Sequence, residues 1–170
     1  MRGRIIAVVG LLVAVLLAGW LVDRKQGSAI KVGDGETTLG VPVAGRDVDV
    51  YFYAADLEVR KPVELVQVAP RVADDGLEFV EARVYRRDAF PGGAYMSWTA
   101  GNPSVADPTG VASVPVDGYR LSGDPRDRVI LFKVRVTSVE RPLKVSGLRI
   151  TYRNGFRQHT QYVNANYEIR

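Results

Sequence analysis

The chain has no cysteine and one histidine, His159, among its 170 residues. Without cysteine there are no disulfides, no thiolate nucleophile and no thiolate metal ligand. With one histidine a zinc or copper site has no converging donor set. Neither G-x-S-x-G nor H-E-x-x-H occurs, so any Ser/His pair must recruit His159 itself. Gly33-Asp34-Gly35 lacks the further glycine and the helix that a phosphate-binding loop needs. Asp47 with Asp49, or Asp124 with Asp127, does not match a calcium loop. Paired carboxylates are always possible with 19 acidic residues, but a small chain without an evident cleft argues against glycoside cleavage. The expectation is a protein that is not an enzyme, with no cofactor and no resident metal.

Long runs of one charge are also missing. The net charge of +4 comes from 23 basic and 19 acidic residues that intermix along the chain, so no nucleic-acid partner is expected. Beyond residue 22 no segment keeps a 3.6-residue apolar period, which leaves helix at most incidental there.

What the chain does have is concentrated at its start. Residues 5–22 carry no charge, and a helix over these residues would span about 27 Å, close to the hydrocarbon thickness of a bilayer. Their Ile, Leu and Val residues favour insertion by about 4–7 kcal/mol as an upper bound, and Trp20 suits the headgroup region. Residues 1–22 are therefore expected to be a transmembrane signal-anchor, with the lipid bilayer as first partner. A cleaved signal peptide is the alternative, although its apolar core would be shorter and a small-residue cleavage site closer. Basic residues flank both ends almost equally. The short basic lead Arg2/Arg4 favours a cytoplasmic N-terminus and an extracytoplasmic remainder at the cell membrane. Gly10, Ala14 and Ala18 form a small-residue stripe suited to helix packing, or ordinary lipid-facing filler.

Residues 23–46, rich in Gly and polar residues, read as a stalk. From residue 47 to 170 the period becomes two. Val48, Val50 and Phe52 alternate, as do Val80, Ala82 and Val84, and again Ile130, Phe132, Val134 and Val136. Such strands have one wet face and pack antiparallel. With turns at Lys61-Pro62, Asp75-Gly76, Arg141-Pro142 and Asn154-Gly155, they predict an all-β, immunoglobulin-like antiparallel β-sandwich, with a barrel as alternative. The Pro/Gly-dense stretch 88–128 interrupts the rhythm and holds Phe90, Tyr95, Met96 and Trp98. These aromatics either fold back to cap the sandwich or form a partner-binding loop.

For the last hairpin, two registers compete. Pairing Arg153 with Phe156 would put His159 on the apolar face and Phe156 and Tyr162 among arginines. A three-residue loop, Arg153-Asn154-Gly155, pairs Tyr152 with Phe156, buries both aromatics and leaves His159 exposed. The second register is expected on burial, at about 1.5–3 kcal/mol per apolar side chain.

The segments GYRLSG, VILFKVRVTS and VSGLRITYRNGFRQH resemble actinobacterial single-pass membrane-anchored proteins with a small β-sandwich ectodomain. The resemblance implies a location and an architecture, but no activity and no site residues. The combined expectation is a non-catalytic, membrane-tethered interaction or accessory module of the cell envelope, with a membrane or envelope protein as a possible partner. The alternative is a module binding a small ligand or polysaccharide through Tyr95 and Trp98.

Overall fold

Alternating β-branched and aromatic residues produce the strands that the sequence period predicts. The computed structural model describes residues 29–32, 37–55, 57–90, 97–99, 107–122 and 127–170. The apolar run 1–22, with Gly10, Ala14 and Ala18, lies outside these residues, as do Tyr95 and Met96. Among the described residues no helix is long and apolar enough to cross a membrane.

In chain order the strands are β1 (Ile30–Val32), β2 (Thr37–Val41), β3 (Val48–Tyr53), β4 (Leu57–Val59), β5 (Val63–Ala73) and β6 (Leu77–Arg86). They continue as β7 (Ser97–Thr99), β8 (Ser113–Pro115), β9 (Arg120–Leu121), β10 (Arg128–Val136), β11 (Leu143–Asn154) and β12 (Arg157–Ile169). One sheet runs β7-β3-β10-β6-β8, the other β2-β12-β11-β5-β9, and β1 with β4 makes a two-stranded ribbon. Pairing is antiparallel except at the edge, where β2 runs parallel to β12. The two large sheets pack face to face as a β-sandwich.

The core between them is apolar and built as the alternation demands. Val50, Phe52, Ile130, Phe132, Val134 and Val136 of one sheet meet Leu148, Ile150, Tyr152, Val163 and Tyr167 of the other. Tyr167 is the main cross-sheet contact. Its ring lies 4.9 Å from Phe52 and 5.0 Å from Phe132, and its hydroxyl reaches the backbone carbonyls of Tyr53 and Ala54, each at 2.8 Å. On β11 the inward set shifts from Leu143 and Val145 to Leu148, Ile150 and Tyr152. Gly147, at φ 71°, absorbs the change beside the register shift between Ser146 and Leu148.

Several expectations need correction. Val80 does not face the core with Ala82 and Val84, because the register shifts between Lys133 and Val134. Leu77 and Phe79 turn inward instead, and Val80 is exposed. The strands do not all have one wet face: Tyr51, Tyr85, Val129 and Leu131 on the outer side of the first sheet are buried in a second apolar cluster. The stretch read as a stalk contributes β1 and β2, with Ile30 and Val41 buried; short apolar patches between glycines suffice once edge strands can accept them. The loop 88–128 likewise supplies β7, β8 and β9 as short edge strands.

The closing hairpin takes neither weighed register. Asn154 pairs with Arg157 and Tyr152 with His159, so the turn is the two residues Gly155-Phe156, with Gly155 at φ 66°. Gly followed by another residue is the II′ pattern favoured in two-residue hairpins. The physical reason lies farther along β12, where Val163, Ala165, Tyr167 and Ile169 are all buried. Period two ties Gln161 and His159 to the same face and forces Phe156 and Tyr162 outward. Four inward residues outweigh two aromatics, so Phe156 and Tyr162 are exposed, against the expectation.

Candidate functional site

Two surface regions emerge, and the first is a covered one. On the outer side of the first sheet, Trp98 of β7 pairs with Tyr51 of β3, their rings edge to face at 5.4 Å. Phe90, just after the first 3-10 turn, packs on Tyr85 at 5.5 Å. Both are interior, with Trp98 6% and Phe90 3% exposed, so neither offers a surface to a partner or a sugar ring. Of the two expectations for this stretch, folding back describes these two residues, although they cover a sheet face rather than an open end. Burial raises the hydroxyl pKa values of Tyr51 and Tyr85.

A ladder of charges borders that cluster. Asp49, expected on a wet face, receives Arg135 at 2.9 Å and lies 3.7 Å from the Lys133 ammonium, while Lys133 also meets Glu81 at 3.1 Å. Arg83 holds Glu81 from the other side at 3.1 Å and donates to Ser113 at 2.8 Å. The hydrogen bond from Arg135 keeps the Asp49 carboxyl below its ordinary range. Burial alone would raise Glu81, but Arg83 and Lys133 bring it below its ordinary value; burial opposes the charge on Lys133, and its partners raise it nonetheless. Every carboxylate here is neutralised by neighbouring cations, so the ladder holds β3, β10, β6 and β8 together and supplies no free acid or base.

The second region is one end of the sandwich. Antiparallel strands send alternate turns to the same end. The β11–β12 turn, the 60–62 turn, β9 and the ribbon of β1 with β4 gather there. Ile30 fixes the arrangement, since Gln161 donates to its carbonyl at 3.0 Å and its backbone hydrogen-bonds the Tyr152 hydroxyl. Arg60 donates its backbone N–H to Ala29 at 2.8 Å. Leu121 of β9 pairs with Val63 at the same level, and Arg128 donates to the Tyr119 hydroxyl at 2.9 Å, linking this end of the two sheets.

Beside Arg86, Arg87 and Arg128 with Asp88, Asp117 and Asp127 at the same end, these elements carry Lys31, Arg60, Lys61, Arg120, Arg153 and Arg157 with Glu58 and Glu64. Both glutamates are paired, Glu58 with Lys31 at 3.8 Å and Glu64 with Arg153 at 2.9 Å. Phe156 projects from the β11–β12 turn between Arg153 and Arg157, at 109% relative exposure. The turns and strand ends at the other end, 42–47, 74–76, 137–144 and 168–170, hold four basic and five acidic residues. Among the described residues, the end at which Ala29 lies is the more basic of the two.

His159 lies beside this end, its ring 5.6 Å from Tyr152. Contrary to expectation it is half-buried on the inner-facing side of β12, and its Nε2 is enclosed without a hydrogen-bond partner among the described residues. Sequence reasoning took Lys61-Pro62 and Asn154-Gly155 only as turns. The signal it passed over is that alternate turns share an end, so their charges add. No family model and no curated protein matches the chain.

Proposed function

We propose that this is a membrane-tethered, extracytoplasmic interaction or accessory module of the cell envelope and that it is non-catalytic. Residues 1–22 would anchor it in the lipid bilayer, with the N-terminus cytoplasmic and the sandwich outside. The observation that carries the reading is the place where the chain enters the folded body. Ala29 is 1% exposed, and only residues 23–28 separate it from the apolar run. An anchor there is mechanically continuous with the sandwich rather than joined by a long loose stalk. Tethering confines the domain to two dimensions and raises its effective concentration against a membrane or envelope protein partner.

The sandwich is read as immunoglobulin-like. Strands β3-β10-β6 facing β12-β11-β5, with β2 on the β12 edge, correspond in chain order to B-E-D facing G-F-C with the first strand beside G. That fold is used widely for contacts on cell surfaces, and the likeness to actinobacterial anchored proteins points the same way. The rival reading, a small-ligand or polysaccharide module, loses one of its two stacking residues because Trp98 is interior, while Tyr95 lies outside the described residues. The test is fractionation of cells expressing the full chain, with protease added from outside. The expected result is a chain that sediments with membranes, needs detergent for release, and loses its sandwich to the protease. Recovery of the intact chain in the soluble cytosol would refute the proposal.

A further inference from the structure

Phe156 is the most exposed of the large apolar residues described. An exposed phenylalanine at a two-residue turn costs hydration without aiding the fold, since Gly155 alone sets the turn. Arg153 and Arg157 flank it and are exposed, Arg153 from its surface pair with Glu64 at 2.9 Å, and Arg60, Lys61 and Arg120 stand in neighbouring elements of the same end. One apolar ring flanked by two arginines is far smaller than the several hundred Å² of apolar surface that mark a protein interface. It suits a lipid surface, where an aromatic tip enters the headgroup layer and arginines meet anionic headgroups.

Geometry lets the tip reach the bilayer. Gln161 holds Ile30, and Phe156 lies five residues farther along β12, about 17 Å beyond that level. The link from Val22 to Ala29 reaches at most about 25 Å when fully extended. A span ending at residue 22 therefore keeps this end of the sandwich within reach of the membrane, and the tip is the part that projects. The far end, where acidic residues outnumber basic ones, would be repelled by the same anionic surface.

We propose that the β11–β12 hairpin tip is a membrane-seating foot: Phe156 enters the headgroup layer of an anionic bilayer while Arg153 and Arg157 pair with lipid phosphates. The inference rests on the tethered reading above. It adds that the sandwich has a fixed attitude, with its strands standing on the membrane and the acidic end presented outward.

The absence of cysteine makes the test direct. In the full chain, Gln158→Cys places one nitroxide beside the tip while Phe156 stays in place, and Val139→Cys places another at the far end; both parent residues are exposed. Each variant is reconstituted into vesicles of equal parts phosphatidylcholine and phosphatidylglycerol, and its label is probed with a water-soluble relaxing agent. The expected result is a severalfold loss of aqueous accessibility at 158 on passing from detergent to vesicles, with 139 unchanged. Adding Phe156→Ser restores accessibility at 158, and Arg153→Gln with Arg157→Gln weakens seating by about fivefold per charge. Equal accessibility at 158 and 139 in chains that float with the vesicles overturns the foot and leaves the anchor standing. Chains that do not float overturn both. Shielding at 158 already present in detergent means a protein contact and overturns the foot as well.

Discussion

The contact between Tyr167 and the facing sheet can be tested by removing one oxygen atom. In Tyr167→Phe the ring stays against Phe52 and Phe132, and only the hydroxyl that serves the Tyr53 and Ala54 carbonyls is lost. A buried hydrogen bond contributes about 0.5–1.5 kcal/mol net, and a carbonyl stranded without a partner costs about 1–3 kcal/mol. Tyr167 is 2% exposed and Ala54 3%, so water does not readily replace the lost donor. We expect a loss of about 2 kcal/mol, which at a urea slope of about 2 kcal/mol/M moves the midpoint down by about 1 M. The assay is urea unfolding of the full chain in mild detergent, followed by near-UV circular dichroism. An alkaline arm gives an independent readout. Burial pushes the Tyr167 hydroxyl well above the ordinary tyrosine value. Its folded state therefore keeps the proton while the unfolded chain loses it, and stability is full below about pH 10 and declines as pH rises beyond it. Tyr167→Phe should lose part of that alkaline decline. If the variant matched the parent in midpoint and in alkaline slope, the hydroxyl would not be joining the sheets and the account of this contact would be wrong.

Trp98→Ala should cost about 3 kcal/mol, because the indole is interior and Tyr51 would lose its edge-to-face partner; a melting temperature equal to the parent's would mean that Trp98 is not covering the sheet. Asp49 and Glu81 have carboxyl pKa values lowered by the folded state, so their contribution is present above the ordinary carboxylate range, around 4, and is lost as pH falls below it through the lowered folded-state values. The urea midpoint should drop across that acid window, and less steeply in Lys133→Met, which removes a cation shared by both acids. An identical acid profile in the variant would remove Lys133 from the explanation.

Much of this protein is written in local sequence. Period two fixed Val50 and Phe52, and Ile130 through Val136, on the inner face, because successive side chains of a strand point to opposite sides whatever surrounds them. The missing cysteines and the solitary histidine narrowed the chemistry in the same local way. Distance along the chain defeated the rest. The hairpin register was set by residues 163–169, far from the turn itself, since a strand's faces are decided by its whole length. Val80 was displaced by a shift in its pairing with β10 that no local pattern announces. Whether an aromatic is interior or displayed depends on what folds over it, so Trp98, for which the sequence left both roles open, is interior, while Phe156, expected inside, is displayed. The basic end arises only because antiparallel strands return alternate turns to one place, where Arg60, Arg120 and Arg157, remote in sequence, add their fields.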